Sequence, residues 1–236
     1  MKILTLLFFL AATLLQAGCS TAPTPKTDTL KSPPTPDPGF QLGRVTKAVQ
    51  QRYGNDGVTA TKDWSEALAL FRKAPEQSRL KDINDYVNHK IRLDTDIHIW
   101  GQEDYWATPI EALTEGAGDC EDYAIAKYFS LKFAGVPVSK LRISYVKARI
   151  GGANSNVTQA HVVLTHYSTP DADPLVLDSL ISEIRPASRR TDLIPIFSFN
   201  SEGVWPAGNK ESQPGAGNRL SKWMDLLEKM EEEGFE

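Results

Sequence analysis

The sequence predicts an α+β fold, in which N-terminal helices pack against a later antiparallel sheet. Three observations predict it. Apolar residues recur at helical spacing in the first part of the chain and alternate with a period of two from Leu141 onward. Between these two parts, a helix that is apolar on most sides begins at Cys120. A helix of that kind is typical of the centre of a fold, so we expect the sheet to pack against it.

The composition fits a globular domain and does not favour several other classes of protein. The chain has 236 residues, with 26 Lys and Arg against 30 Asp and Glu, and a net charge of −4. We therefore expect no nucleic-acid partner, because phosphate binding needs clustered positive charge. With 41% hydrophobic and 24% charged residues, the chain is also unlike a disordered protein. Two cysteines are too few for a disulfide scaffold or a four-cysteine zinc module.

Residues 1–18 have the pattern of a bacterial secretory signal peptide, which predicts a periplasmic protein. A short positive start precedes an apolar run that is shorter than the roughly 20 residues needed to span a bilayer. The segment that ends at Cys19 resembles a lipobox, in which this cysteine is acylated and anchors the protein to the membrane. Gln16 stands where a lipobox has an apolar residue, and simple cleavage near Ala17 is the alternative.

A tether and a single domain are expected to follow the signal peptide. Residues 19–39 are rich in proline and cannot bury apolar surface, so they predict an extended spacer. The folded domain is predicted at residues 40–236. Its helices are expected at Val45–Arg52, Ser65–Lys73, Leu80–Ile91, Cys120–Phe133 and in the C-terminal stretch from Leu220 to Met230.

Local signals set the predicted ends of these helices. Gly54 is expected to end the first helix, and Ser65 to cap the second. The stretch 92–118 is rich in Trp, Asp and Gly and is predicted to be irregular. The run Glu231–Glu233 places negative charge at the C-terminal end of the last helix, where it opposes the helix dipole. We therefore expect that end to fray.

Four strands are predicted after the central helix. Each is rich in β-branched or alternating apolar residues and is bounded by turn-forming residues. They are Leu141–Val146, Ala160–Tyr167, Leu175–Asp178 and Ile194–Phe199. Residues 170–174 separate the second strand from the third as a turn, which predicts that these two strands pair in an antiparallel manner.

A nucleophilic cysteine is predicted at the start of the central helix. The segment 116–122, Gly-Ala-Gly-Asp-Cys-Glu-Asp, turns sharply into a helix whose first residue is Cys120. Unpaired N–H groups and the positive end of the helix dipole favour the thiolate there. The same N–H groups could receive the oxyanion that forms when the sulfur attacks a carbonyl. The alternatives are a buried structural cysteine and a disulfide with Cys19.

Strand pairing indicates which histidine serves as the base. If the second and third strands pair so that opposed residue numbers sum to 339, His161 lies opposite Asp178 and on the same face. Asp178 would then orient the imidazole. His166 differs from His161 by an odd number and points to the other face, and His89 is expected on a helix surface. A slip of one residue would break the pairing.

Several motifs together resemble the bacterial transglutaminase-like cysteine proteinases. They are Trp106–Leu113, Gly116–Lys127, Gly135–Pro137, Ala160–Leu164 and Leu177–Ser179. The resemblance covers roughly Phe40 to Trp205. It implies a papain-like, transglutaminase-like fold and a catalytic triad of Cys120, His161 and Asp178.

The acidic residues around the cysteine predict a calcium site. Asp119 as N-cap and Asp122 three residues later form a capping box without any metal, but this does not explain Glu121. Three crowded carboxylates would raise the pKa of the thiol, and a hard cation such as Ca²⁺ would relieve the repulsion. The resemblance implies calcium dependence carried by these three acids. Asp94, Asp96 and His98 form a second group that could bind a metal. We expect its two acids to be solvated loop residues instead.

The resemblance also implies a function and partners. The expected protein is a calcium-dependent periplasmic cysteine endopeptidase that cuts the N-terminal region of a large cell-surface adhesin at an Ala-Ala type of site and so controls biofilm dispersal. The periplasmic domain of an inner-membrane cyclic-di-GMP receptor is the expected inhibitor. Two alternatives stay open, a transglutaminase-like acyl transferase that uses a lysine amine and a non-catalytic calcium-binding lipoprotein module.

Overall fold

The computed structural model describes residues 42–151, 155–209, 211–214 and 220–235. The predicted signal peptide, the whole of the predicted tether with Cys19, and the predicted start of the domain at residue 40 lie outside the described residues. Their assignments therefore stay predictions. Within the described segments, no helix combines the length and the apolar character needed to cross a membrane.

The described helices occupy the N-terminal half and the C-terminal end of the chain. They are α1 (Leu42–Phe71), α2 (Glu76–Lys90), α3 (Asp96–Trp100), α4 (Pro109–Glu115), α5 (Cys120–Phe133) and α6 (Ser221–Glu232). Both predicted bounds of α5 are confirmed. Gly54 does interrupt α1, with φ of 64° and ψ of −151°, but the chain turns into helix again directly after it. The predicted N-cap at Ser65 is wrong, because the helix passes through it to bury Trp64 and Leu68.

The stretch 92–118 is not irregular, contrary to the prediction. It contains α3 and α4 and two short strands, β1 (Arg92–Leu93) and β2 (Ala117–Gly118), which pair in parallel. The start of α4 carries a local signal that the prediction missed. Thr108 and Glu111 form a capping box, in which the threonine hydroxyl accepts from one backbone N–H and the glutamate accepts from the other.

An antiparallel sheet follows α5, as predicted. Its described strands are β3 (Leu141–Arg149), β4 (Thr158–His166), β5 (Leu175–Leu177), β6 (Arg185–Pro186), β7 (Leu193–Asn200), β8 (Gly203–Pro206) and β9 (Gln213–Pro214). Their spatial order is β6-β5-β4-β3-β7-β8-β9. The four predicted strands correspond to β3, β4, β5 and β7, and the α+β fold is confirmed.

The hydrophobic core lies between the sheet and α5. This helix is buried on most of its circumference, as its apolar sequence predicts. The indole N–H of Trp64 in α1 donates to the Ser130 hydroxyl of α5 (2.9 Å), which satisfies a polar pair inside the core. On the α6 side, the ring of Trp223 stacks on Phe129 with centroids 5.7 Å apart.

The end of α6 does not fray, and that prediction is wrong. Glu233 is fully buried and accepts hydrogen bonds from the hydroxyls of Tyr53 (2.7 Å) and Thr108 (2.6 Å). Phe235 enters the core and stacks on Phe133, with centroids 5.4 Å apart. Side chains from α1 and α4 therefore fix the segment that the helix dipole alone would loosen.

Candidate active site

The turn that presents Cys120 is built from two glycines and a parallel strand pair. Gly116 ends α4 with φ of 62°, a conformation that favours glycine. At Gly118, an added Cβ would lie 2.8 Å from the Cβ of Asp122, so a side chain there would collide. The pairing of β2 with β1 then fixes the direction in which the chain enters α5.

The predicted capping box at the start of α5 is confirmed. Asp119 Oδ1 accepts from the N–H of Glu121 (3.0 Å) and, more weakly, from that of Asp122 (3.4 Å). Asp122 Oδ2 accepts from the N–H of Asp119 (3.2 Å), and its other oxygen accepts from the N–H of Ala107 (2.8 Å). Each oxygen of Asp122 therefore accepts one hydrogen bond, and together they hold the turn and the preceding loop.

The surroundings of the Cys120 thiol oppose ionisation. The thiol is half-buried and donates to Glu121 Oε2 at 2.8 Å. Burial raises the pKa of Cys120, and the charges of Glu121 and Asp119 raise it further, whereas the Val162 N–H lowers it. The expectation that the helix N-terminus favours the thiolate does not hold in this arrangement, because the Asp119 side chain occupies N–H groups of the first turn and the charge of Glu121 lies beside the thiol.

His161 and Asp178 form a buried pair. His161 Nε2 lies 2.8 Å from Asp178 Oδ1, which leaves Nδ1 as the ring nitrogen available to a thiol. Leu180 N–H donates to the same carboxylate oxygen (3.0 Å). Burial alone would raise the pKa of Asp178, but the hydrogen bond and charge of His161, together with Arg190, lower it to about 2. The carboxylate therefore stays ionised and oriented toward the imidazole.

The predicted register of these strands is wrong by two residues, although its parity is right. The observed pairs, Leu164 with Leu177 and His166 with Leu175, sum to 341 and not to 339. The pairing reaches further along β4 than predicted, so the connecting turn is shorter. A shift of two residues keeps each side chain on its face. Asp178 follows the last paired residue of β5 and meets His161 diagonally.

Two basic residues that the sequence analysis missed hold Asp178. Arg190 Nη2 donates to Asp178 Oδ2 at 2.7 Å, and both side chains are buried. Lys127 Nζ, fully buried in α5, donates to the backbone carbonyl of Asp178 at 2.9 Å. No local pattern marks Arg190, because its role depends on a long-range contact. Lys127 does carry a signal, since it is a lysine inside an apolar helix.

The other histidines are not close to Cys120. His166 points to the opposite face of β4, as predicted, and its Nε2 lies 3.0 Å from Glu76 of α2. His89 is exposed on α2, and His98 is an exposed partner of Asp94 at 3.1 Å. Of the four histidines, only His161 lines the same cleft as Cys120.

That cleft has a volume of about 780 Å³ and an acidic wall. The acidic residues that line it are Asp94, Asp96, Glu103, Asp104, Asp119 and Glu121. Among the described residues, neither Lys nor Arg lines it. Such a wall attracts cations and repels acidic peptides.

Asp96 joins the acids beside the cysteine, which the sequence analysis did not predict. It is buried, and its Oδ2 accepts from the N–H of Tyr105 (2.6 Å), while its Oδ1 has no hydrogen-bond partner among the described residues. Oxygen atoms of Asp96, Asp119 and Asp122 lie within 4.8 Å of one another. Burial raises the pKa of Asp119 to about 8, and the charge of Glu121 adds to the effect. An unpaired buried oxygen in a carboxylate cluster suits a hard cation, so these residues fit Ca²⁺.

Comparisons with known proteins agree with this geometry. A family model described as bacterial transglutaminase-like cysteine proteinase (BTLCP) matches residues 54–205. The structure is similar to Legionella pneumophila LapG, with 37% identity, a TM-score of 0.67, and coverage of 81% of this chain and 98% of that chain. The calcium-bound form of that protein matches with 38% identity, a TM-score of 0.68, and coverage of 81% and 99%. Its EGTA-treated form matches with 36% identity, a TM-score of 0.69, and coverage of 81% and 98%. No curated protein sequence matches significantly.

Proposed function

Because the chain belongs to the bacterial transglutaminase-like cysteine proteinases, we propose that it is a calcium-dependent cysteine endopeptidase with a triad of Cys120, His161 and Asp178. One observation carries the proposal. A cysteine at a helix N-terminus and a histidine held by a buried, ionised aspartate line the same cleft. A thiol nucleophile, a base and a group that orients the base are the parts that acyl transfer needs.

In the proposed reaction, His161 Nδ1 takes the proton of the Cys120 thiol as the sulfur attacks the peptide carbonyl. The N–H groups of Glu121 and Asp122 already donate to Asp119, so we assign the developing oxyanion to the N–H of Cys120 itself. When the carbon–nitrogen bond breaks, the imidazolium returns its proton to the leaving amine. Water then attacks the thioester, releases the new carboxyl terminus and restores the thiol.

Calcium would be held by Asp96, Asp119 and Glu121, with Asp122 contributing charge while it keeps the turn in place. The unpartnered Oδ1 of Asp96 supports this assignment. So do two groups of possible ligand atoms that share Asp119, one with Asp96 and Asp122 and the other with Cys120 and Glu121. So does the calcium-bound form of the similar Legionella protein. The chemistry that the ion supplies is charge compensation, which lowers the repulsion around Cys120 and rigidifies the turn that carries it.

We extend the proposal to the substrate, location and partner that the family resemblance implies. The substrate is the N-terminal region of a large cell-surface adhesin, cut at an Ala-Ala type of site in the periplasm, so that cleavage releases the adhesin and disperses a biofilm. An acidic cleft suits a site made of small neutral residues better than one rich in acids. The inhibitor is the periplasmic domain of an inner-membrane cyclic-di-GMP receptor, and Cys19 carries a lipid anchor.

The test is incubation of the purified domain with an N-terminal adhesin fragment, in calcium and in excess chelator. We expect a single cut in calcium, little or none in chelator, and none with Cys120→Ala. Adding a dansylated amine separates hydrolysis from acyl transfer, because a transferase would incorporate the label into the product. Cleavage by a correctly folded Cys120→Ala protein would refute the cysteine mechanism. Full activity in chelator would refute the calcium part alone.

A further inference from the structure

The sheet face opposite α5 has a cavity of its own, with a volume of about 300 Å³. Alternate residues of the central strands point to this face. Its apolar wall is formed by Val146, Val163 and Val176, which pack together as a small cluster apart from the main core. None of the residues that line this cavity lines the cleft of Cys120, so it is a separate pocket.

A buried arginine without an acidic partner lines this cavity. The guanidinium of Arg142 lies between the ring of Trp205, 3.9 Å from its centroid, and that of Tyr167, 4.1 Å away. The side chain is buried and Nε has no hydrogen-bond partner among the described residues. The guanidinium has a hydrogen bond with the side chain of Tyr167, and none of the described carboxylates pairs with it. A buried charge is costly unless it is paired, so the cavity lacks a counter-charge that a ligand could provide.

Arg190 adds a second unused donor to the same cavity. Its Nε and Nη2 donate to Asp192 and Asp178, but its Nη1 is buried without a partner among the described residues. The nearby hydroxyls are already engaged, because those of Ser144 and Thr165 lie 2.8 Å apart, and that of Thr165 donates to a backbone carbonyl. The free donors are therefore guanidinium N–H groups, at the edge of an apolar wall.

We propose that this cavity binds a small ligand with one carboxylate on an apolar body, a binding function that goes beyond the proposed peptidase activity. The carboxylate would take the donors of Arg142, and the apolar body would cover the three valines. A carboxylate fits better than a phosphate, because arginine binds a planar two-oxygen group through paired N–H donors and few other donors are free. The volume lies at the lower end for ligand pockets, which suits one side chain or a short acyl chain.

Such a carboxylate could come from a fatty acid or from the C-terminal residue of a peptide. We would titrate the protein with octanoate for the first source and with N-acetylphenylalanine for the second, and use the neutral amide of each as its control. Calorimetry gives the affinity. Methyl NMR signals of Val146, Val163 and Val176 report binding in the unmodified protein, so the test does not depend on a variant that folds.

We expect one of the two acids to bind and to shift these valine signals, with its amide weaker by roughly tenfold or more. Arg142→Gln should cause a similar loss. Arg185→Gln is the matched control, because it also removes one positive charge but lies outside the cavity, and it should bind as the original protein does. Equal binding of acid and amide, unchanged affinity in a folded Arg142→Gln protein, or no valine shift with either acid at millimolar concentration would overturn the proposal.

Discussion

Glu233→Gln tests whether the C-terminal segment holds a buried carboxyl group. Burial raises the pKa of Glu233 to about 7, and repulsion from Glu111 adds to the effect, although hydrogen bonds from Thr108 and Tyr53 favour the anion. Its second oxygen is buried without a hydrogen-bond partner among the described residues. Glutamine resembles the protonated acid and still accepts from both hydroxyls.

The sign and size of the effect follow from linkage between protonation and folding. The folded state binds the proton of Glu233 more tightly than the unfolded state, whose pKa is close to the ordinary 4.5. Its contribution to stability is therefore full below about pH 4.5 and is lost as the pH rises through about 7. One unit of pKa corresponds to about 1.36 kcal/mol, so the rise in the pKa of Glu233 from 4.5 to about 7 amounts to about 3 kcal/mol of stability.

The assay is urea unfolding between pH 5 and pH 8.5, with the free energy of unfolding compared between the variant and the original protein at each pH. We expect Glu233→Gln to gain less than about 1 kcal/mol at the acid end and about 3 kcal/mol at the alkaline end. Glu231→Gln, at an exposed position of the same helix end, should leave the curve unchanged. Parallel curves, or a variant that is less stable at pH 8, would refute the reasoning.

Three further predictions concern the active site. Cys120→Ala and His161→Ala should abolish cleavage of the adhesin fragment while circular dichroism and melting stay near normal, whereas His166→Gln, on the same strand but the opposite face, should retain activity. Glu121→Gln should weaken the rise in melting temperature that calcium causes, because it removes a proposed ligand and leaves the helix cap intact. In the original protein, Mg²⁺ should substitute poorly for calcium. Arg190→Gln should lower kcat/KM roughly 10- to 100-fold, in line with about 1.5–3 kcal/mol for a hydrogen bond to a charged group. It should also move the acid limb of the pH profile upward, because the pKa of Asp178, about 2 with Arg190 in place, rises without it.

Each of these predictions has an outcome that contradicts it. Loss of activity in a well-folded His166→Gln protein would mean that strand parity does not identify the base. An unchanged calcium response in Glu121→Gln would remove this residue from the ligand set. If Arg190→Gln lowers stability but leaves the pH profile unchanged, Arg190 has a structural role only. Partial recovery of kcat/KM in Arg190→Lys would support positioning of Asp178 by charge.

Helix bounds that depend on neighbouring residues in the chain were predictable from the sequence. The bounds of α5 follow from the Asp119 cap and from the apolar run that ends before Gly135, where φ is 88°. The course of α1 beyond Gly54 was not predictable in the same way, because the helix continues in order to bury Trp64 against Ser130 of α5. Tertiary packing there outweighs the local stop signal.

In the active site, too, local features were predicted from the sequence and long-range contacts were not. Cys120 and its capping box are local, and both were found from the sequence. Alternation along β4 correctly assigned His161 and His166 to opposite faces, but the register could not be fixed, because the turn after β4 has no residue pattern that sets its length. Asp96 was expected to be solvated, yet it is buried where the chain folds back and the Tyr105 N–H donates to it.

The same acids that build the turn also explain why the proposed enzyme needs both a base and an ion. Asp119 occupies N–H groups at the positive end of α5, so the helix N-terminus offers the Cys120 thiol little help. Glu121 accepts the thiol proton as a hydrogen bond and repels the thiolate. Activation then has to come from His161, held by Asp178, and from compensation of the carboxylates around the sulfur. Calcium dependence and a poorly reactive thiol in its absence are, in this view, two consequences of one arrangement of charge.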